Sequence, residues 1–278
     1  MDRERDERTM AVEIRSRTGE VLHRVMHASD ARGAIQELVR RGADLEGAAL
    51  EGVNLSGSNL EGAQLSRADL SRARMDGSNL EGAELREADL TGASFDGSNL
   101  EDADFSHATM CDVVGRGANL EHGRLDGADL SRSNLQGSNL EDVDLRGAIL
   151  TGAQLSRSNL ERATLERVRA ERASFAHANL EKCDFRDADL SRADFEGANM
   201  EKCDLRGARL VGARLVGANL ERCDLRRADL SGADVTEANL ERCDVEGAKM
   251  TGVDLSGANV DRLRGTPLAD PATEAPYR

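Results

Sequence analysis

Ala68-Asp69-Leu70-Ser71-Arg72, Ser78-Asn79-Leu80-Glu81-Gly82 and Ala218-Asn219-Leu220-Glu221-Arg222 are three spellings of one five-letter phrase. It runs small residue, Asp or Asn, large apolar residue, polar residue, then Gly or a charge. From Gly42 to about Val260 the phrase recurs without a slip. Residues numbered in multiples of five are almost all Leu, Met, Phe or Val, from Leu45 and Leu50 to Met250, Leu255 and Val260. Two places earlier stands a small residue, as at Ala43, Ala48, Ser58, Ala63 and Ala258.

A period of five excludes both ordinary patterns. A helix needs apolar spacing near 3.6 and a half-buried strand needs alternation by two. Apolar pairs at i and i−2, separated by polar residues, suit a chain that points two side chains inward, turns a corner and repeats. Four such sides close a square coil of twenty residues, and coils stack at the strand spacing of roughly 4.8 Å. Each coil then satisfies its neighbours' backbone donors and acceptors, as in other solenoids. Central residues from Leu45 to Val260 number about 44, hence about 11 coils. At roughly 4.8 Å per coil the rod is on the order of 50 Å long.

The quoted stretches resemble the pentapeptide-repeat family, and the likeness covers residues 43–260, about four-fifths of the chain. The resemblance implies an all-β fold, a right-handed quadrilateral β-helix. Ahead of it, Val12-Glu13-Ile14 and Val21-Leu22-His23-Arg24-Val25 read as a hairpin around Thr18-Gly19-Glu20. Ala31, Ala34, Ile35, Leu38 and Val39 then form one helical stripe, with Ser29 or Asp30 as N-cap and Gly42 past its end. The expected organisation is a disordered start over 1–10, a hairpin-helix cap over 11–42, the β-helix over 43–260, and a disordered tail over 261–278 that holds all three prolines.

Two pentapeptides strain the pattern. Gly115 and Ala170 replace the large central residue, and Val113 and Val168 stand where a smaller residue is usual. Local compensation by these valines is one reading; a thin or bent point near Gly115 is the other.

Composition narrows the function. The chain has no Trp and one Tyr, and all five Phe (Phe95, Phe105, Phe175, Phe185, Phe195) fall on central positions. Aromatic residues are therefore core filler, not stacking platforms for bases. Cys183, Cys203, Cys223 and Cys243 lie twenty apart at the small inward position and read as reduced core thiols; Cys111 is outward and reads as the reactive one. No His shares the cysteine column, so no metal set is expected. His107, His122 and His177 are scattered without a paired nucleophile, and the glycines belong to the repeat rather than to a phosphate loop. An enzyme is not expected, nor a cofactor. No stretch approaches the roughly 18 apolar residues of a membrane span and no signal pattern opens the chain, so a cytoplasmic protein is expected.

The slower period of twenty sorts outward residues into columns. Asn59, Asn79, Asn99 and so on to Asn259 form one column, followed two residues on by Glu61, Glu81, Glu101 and so on to Glu241, then Asp261. With 52 acidic against 37 basic residues, the formal charge is −15, which opposes direct binding of nucleic acid. The densest groups are Glu81 with Glu84, Glu101-Asp102 with Asp104, and Glu141-Asp142 with Asp144, all read as unneutralised. From Arg162 onward the residue after each glutamate is basic (Lys182, Lys202, Arg222, Arg242, Arg262), which reads as salt-bridge ladders. Those eight carboxylates are the candidate partner-binding face.

Two readings of that face stay open. One is a non-enzymatic interaction scaffold for a protein partner. The other follows from the resemblance, because quinolone-resistance members of the family bind DNA gyrase by imitating duplex DNA. That would make this chain a modulator of a type II topoisomerase. Duplex DNA carries one charge per roughly 1.7 Å, so mimicry needs one concentrated face. Val211 and Val216 are the outward apolar residues that offer a seam for a homodimer.

Overall fold

The computed structural model describes residues 11–268. Strand β1 (Ala11–Arg15) pairs antiparallel with β2 (Val21–Met26), and helix α1 (Ala31–Arg40) follows. Asp30 is the N-cap, its carboxylate accepting from the Gly33 N–H at 2.8 Å. Ala34, Ile35 and Leu38 are the buried face of the helix, as their spacing predicts.

The hairpin takes the place of the coil that would precede the first one. Ser16 bridges Ala48 in antiparallel sense. The Ala49 N–H donates to the Arg15 carbonyl at 2.7 Å, and the Arg17 N–H to that of Gly47 at 3.2 Å. An uncovered first coil would leave these groups unpaired.

Beyond Gly42 the chain is one continuous four-sided coil. Parallel bridges join residue i to i+20 from Asp44↔Gln64 through to Asp244↔Arg264. One pentapeptide shows why. The Leu60 N–H donates to the Asn79 carbonyl at 2.7 Å, Gly62 to Glu81 at 2.8 Å, and Ala63 back to Leu60 at 3.0 Å, closing the corner. The Asn79 N–H returns the favour to Ser58 at 2.9 Å. Inward, the central residues from Leu45 to Met250 and nearly all the small ones are buried. Phe175 and Phe195 stack face to face at 5.1 Å with Phe185 edge-on to both at 6.3 Å.

Gly115 is not a thin point. An ideal Cβ on it would lie 3.0 Å from Leu135 Cδ2 and 3.7 Å from Phe95 Cβ. The side chains one coil above and below, together with fully buried Val113, occupy the space a central Leu would take. Ala170 and Val168 are likewise wholly buried.

The coil also runs further than the sequence pattern suggests. Where a tail was expected from 261, Arg264 pairs with Asp244 and Leu268 with Lys249, the last after 19 residues instead of 20. The exposed edge of the last full coil offers backbone groups to whatever chain follows, and Thr266 and Leu268 take them. That pairing needs no particular side chain, so the loss of the five-letter pattern does not signal the loss of the coil. The expectations for 1–10 and 269–278 lie outside the described residues.

Candidate functional site: an acidic corner of the rod

The asparagine column is a ladder of side-chain amides. Each Nδ2 donates to the Oδ1 of the asparagine one coil earlier, at 3.3 Å for Asn79→Asn59, 3.1 Å for Asn99→Asn79, and 3.0 Å for Asn259→Asn239. The same Oδ1 accepts from the backbone N–H two residues on, as at Glu101. Stacked coils thus fix the column that carries the glutamates. In the N-terminal half the amide also holds the preceding coil's glutamate: Asn99 to Glu81 Oε2 at 3.2 Å, Asn119 to Glu101 at 3.2 Å, Asn139 to Glu121 at 3.0 Å and Asn159 to Glu141 at 3.0 Å.

The corner residue after each glutamate decides its electrostatics. In the C-terminal half the corner cation reaches two glutamates on successive coils. Lys182 lies 3.3 Å from Glu161 and 2.9 Å from Glu181; Lys202 lies 3.5 Å from Glu181 and 2.7 Å from Glu201. Arg222 and Arg242 continue the zigzag, and Arg262 reaches Glu241. The expected ladders are present. In the N-terminal half the same corner is Gly62, Gly82, Asp102, His122 and Asp142. Among the described residues no Lys or Arg nitrogen comes within 4.0 Å of Glu61, Glu81, Glu101, Asp102 or Glu121.

The eight sequence-derived candidates therefore divide. Glu81, Glu101 and Asp102 share the uncompensated stretch. The other five are neutralised, contrary to expectation. Asp104 is only 7% exposed and accepts from Arg86 Nε at 2.6 Å; Glu84 lies 3.5 Å from the same guanidinium. Burial pushes the Asp104 carboxyl up, but the Ser106 hydroxyl and Arg86 more than offset this and hold it below the usual range. Asp144 is treated the same way, burial being outweighed by Arg146, whose Nε donates at 2.9 Å. Arg162 bridges Glu141, Asp142 and Glu161, and its hydrogen bond lowers the Asp142 carboxyl.

A model of the pentapeptide repeats family matches the chain in 8 copies, over residues 43–82, 83–113, 116–152, 153–192, 188–227 and 228–262. The chain belongs to the pentapeptide-repeat family. Solved members fold as right-handed β-helices. HetL, a pentapeptide repeat protein involved in heterocyst differentiation regulation in the cyanobacterium Nostoc sp. strain PCC 7120, is 28% identical over 83% of this chain and 95% of its own, with a TM-score of 0.41. A member from the Arabidopsis thaliana thylakoid lumen is 28% identical over 38% of this chain and 65% of its own, TM-score 0.31. A QnrB1 variant, from a plasmid-mediated fluoroquinolone resistance protein, is 23% identical over 77% and 88%, TM-score 0.38. No curated protein matches the chain.

Pentapeptide members share their inner letters, so what distinguishes this one lies outside. Glu61 and Glu121 complete the uncompensated stretch although neither is among the eight candidates, and the corner residues Gly62 and His122 beside them are the signal that marks them. Cys111, outward by its number, is not the reactive thiol expected. Burial, then a hydrogen bond with Asp129, pushes that thiol up to about 11, away from the reactive thiolate. The four columnar cysteines are buried and free, each Sγ donating to a carbonyl, as Cys203 does to Leu180 at 3.0 Å. No helix among the described residues is long and apolar enough to cross a membrane.

Proposed function

We propose that this chain is a non-enzymatic rod, a right-handed coil of about eleven turns, that recognises a positively charged protein surface through the N-terminal half of its acidic corner. The observation that carries this is the contrast along one column. Glu61, Glu81, Glu101, Asp102 and Glu121 have no Lys or Arg partner among the described residues, whereas Glu181, Glu201, Glu221 and Glu241 are each held by two such cations. A carboxylate already paired gains little from a second cation. An unpaired one, on a scaffold that fixes its position, contributes attraction and orientation.

The spacing favours a partner that binds duplex DNA, and a type II topoisomerase is one such partner class. Five carboxylates over three coil spacings occupy about 14 Å. One strand of a duplex shows a phosphate every ~3.4 Å, so about four or five over that length. The uncompensated stretch therefore imitates one phosphate row across a short footprint.

A supercoiling assay with purified DNA gyrase tests this narrower reading. Inhibition, or protection from a gyrase poison, at micromolar protein is expected from wild type and not from E81Q/E101Q/D102N. Wild-type protein without effect removes the topoisomerase reading. The broader reading is tested by cross-linking capture of partners with wild type, the triple variant, and E201Q/E221Q as a control. If all three capture the same proteins equally at low and moderate salt, the N-terminal half of the corner is not the recognition face.

A further inference from the structure

The corner column holds a second arrangement that charge recognition does not use. At Asp102, His122 and Asp142 three successive coils place non-glycine residues in the left-handed region, with φ of 57°, 57° and 55°. The column therefore stacks a lone imidazole between two carboxylates. His122 Nδ1 lies 3.9 Å from Asp102 Oδ1, and its Nε2 lies 3.8 Å from Glu121 Oε1 and 3.9 Å from Asp142 Oδ2. One donor atom each from Glu101, Asp102 and His122 fall within 4.8 Å of one another.

We propose that Glu101, Asp102 and His122 form a surface site for a divalent first-row transition metal of the zinc type. An imidazole nitrogen with two carboxylate oxygens is a donor set that such ions accept, at bond lengths near 2.0–2.2 Å. Donors spread over at most 4.8 Å can close on one ion by side-chain rotation alone. The backbone is already fixed: the Asp102 N–H donates to the Glu121 carbonyl and the His122 N–H to that of Glu141, both at 3.0 Å. Outer partners are also in place. Asn119 Nδ2 holds Glu101 Oε2 at 3.2 Å, which leaves Oε1 free, and Arg162 anchors Asp142 behind the imidazole. Outer hydrogen bonds of this kind orient metal ligands and raise their affinity.

A second observation is independent of donor geometry. In the lower coils this corner position holds a Lys or Arg that bridges the glutamates of two coils, as Lys202 bridges Glu181 and Glu201. At the level of His122 that bridging cation is absent while the carboxylates remain. A bound dication supplies the missing charge at the same place in the repeat. Calcium and magnesium prefer all-oxygen sets, so the imidazole selects against them. The site stands whether or not the corner recognises a protein.

The experiment is calorimetric titration of the untagged full chain with zinc chloride, repeated with calcium and magnesium chloride. About one zinc per chain is expected, with the alkaline-earth ions at least tenfold weaker. H122A and H122R lower zinc affinity at least tenfold, E101Q/D102N does the same, and H177A, elsewhere on the rod, leaves it unchanged. The side chains are on the surface, so thermal melts of the variants stay close to wild type and report that the fold is intact. Cobalt(II) gives a second readout, a visible absorption band that H122A abolishes. Zinc binding unchanged in H122A, calcium binding as tight as zinc, or no saturable zinc binding would each overturn the proposal.

Discussion

Replacing Gly115 with leucine separates two accounts of the rod's least regular pentapeptide. By pattern alone, leucine is the residue this position lacks, and restoring it fills a void and stabilises the coil. The geometry predicts the opposite. An ideal Cβ on Gly115 stands 3.0 Å from Leu135 Cδ2, 3.7 Å from Phe95 Cβ and 3.8 Å from Ala118 Cβ, and all three neighbours are buried. Three further carbons have no free volume, and forcing side chains into a filled core costs about 1–3 kcal/mol. At roughly 2–4 °C per kcal/mol for a chain of this size, Tm falls by about 2–12 °C. Gly115→Ala crowds only the far end of the Leu135 side chain, its other contacts being ordinary, and reduced freedom of the unfolded chain offsets the crowding by about 0.4–1 kcal/mol. Its Tm stays within a few degrees of wild type. In G115L/L135A the new leucine takes the vacated volume, so the double variant is more stable than the two single losses added together. Scanning calorimetry on wild type, G115L, G115A, L135A and G115L/L135A reads all of this. A rise in Tm for G115L alone would refute the reasoning, since only an empty site can accept that side chain at a gain.

Three further outcomes are expected. Phe185→Ala removes a fully buried ring edge-on to both Phe175 and Phe195 and costs about 3–5 kcal/mol; a urea midpoint nearly equal to wild type contradicts this. Asp104, Asp142 and Asp144 have folded-state values below the ordinary carboxylate range, so they stabilise the fold at and above pH ~4 and cease to do so as pH falls through those lowered values. D142N and D144N should therefore flatten the acid limb of the stability curve below pH ~4, and an unchanged limb argues against the pairing. Cys111, with its thiol pushed up to about 11, is roughly one part in a thousand thiolate at pH 8; iodoacetamide should label it far more slowly than an unhindered peptide thiol, with a rate still climbing above pH 9.

Much of the site was legible because the repeat converts sequence distance into spatial distance. Glu161, Lys182 and Glu181 can be placed together from their numbers alone, since one coil is twenty residues. What the columns hide is contact across a central residue. Asp144 and Arg146 flank inward Leu145, so both emerge on the same face and pair, yet a count by twenties puts them in different columns. Arg86 reaches Asp104 from the coil before, and with Ser106 buries it. Cys111 sits at an outward position but beside Asp129, which belongs to the neighbouring coil. In each case a long or small side chain found a partner that spacing along one column could not reveal.

The five-residue period by itself determined the coil, its corners and its core, because an inward pair in every pentapeptide admits one way of burying apolar groups while pairing the backbone. It also determined that outward charges form columns. Only the tertiary structure decided which charges remain free. Exposure and ion pairing depend on where the ends of arginine, lysine and carboxylate side chains lie, over distances of a few ångströms between adjacent coils and faces. That is why Glu84, Asp104, Glu141, Asp142 and Asp144 left the candidate face, and why Glu61, Glu121 and His122 came to stand beside Glu81, Glu101 and Asp102 on it.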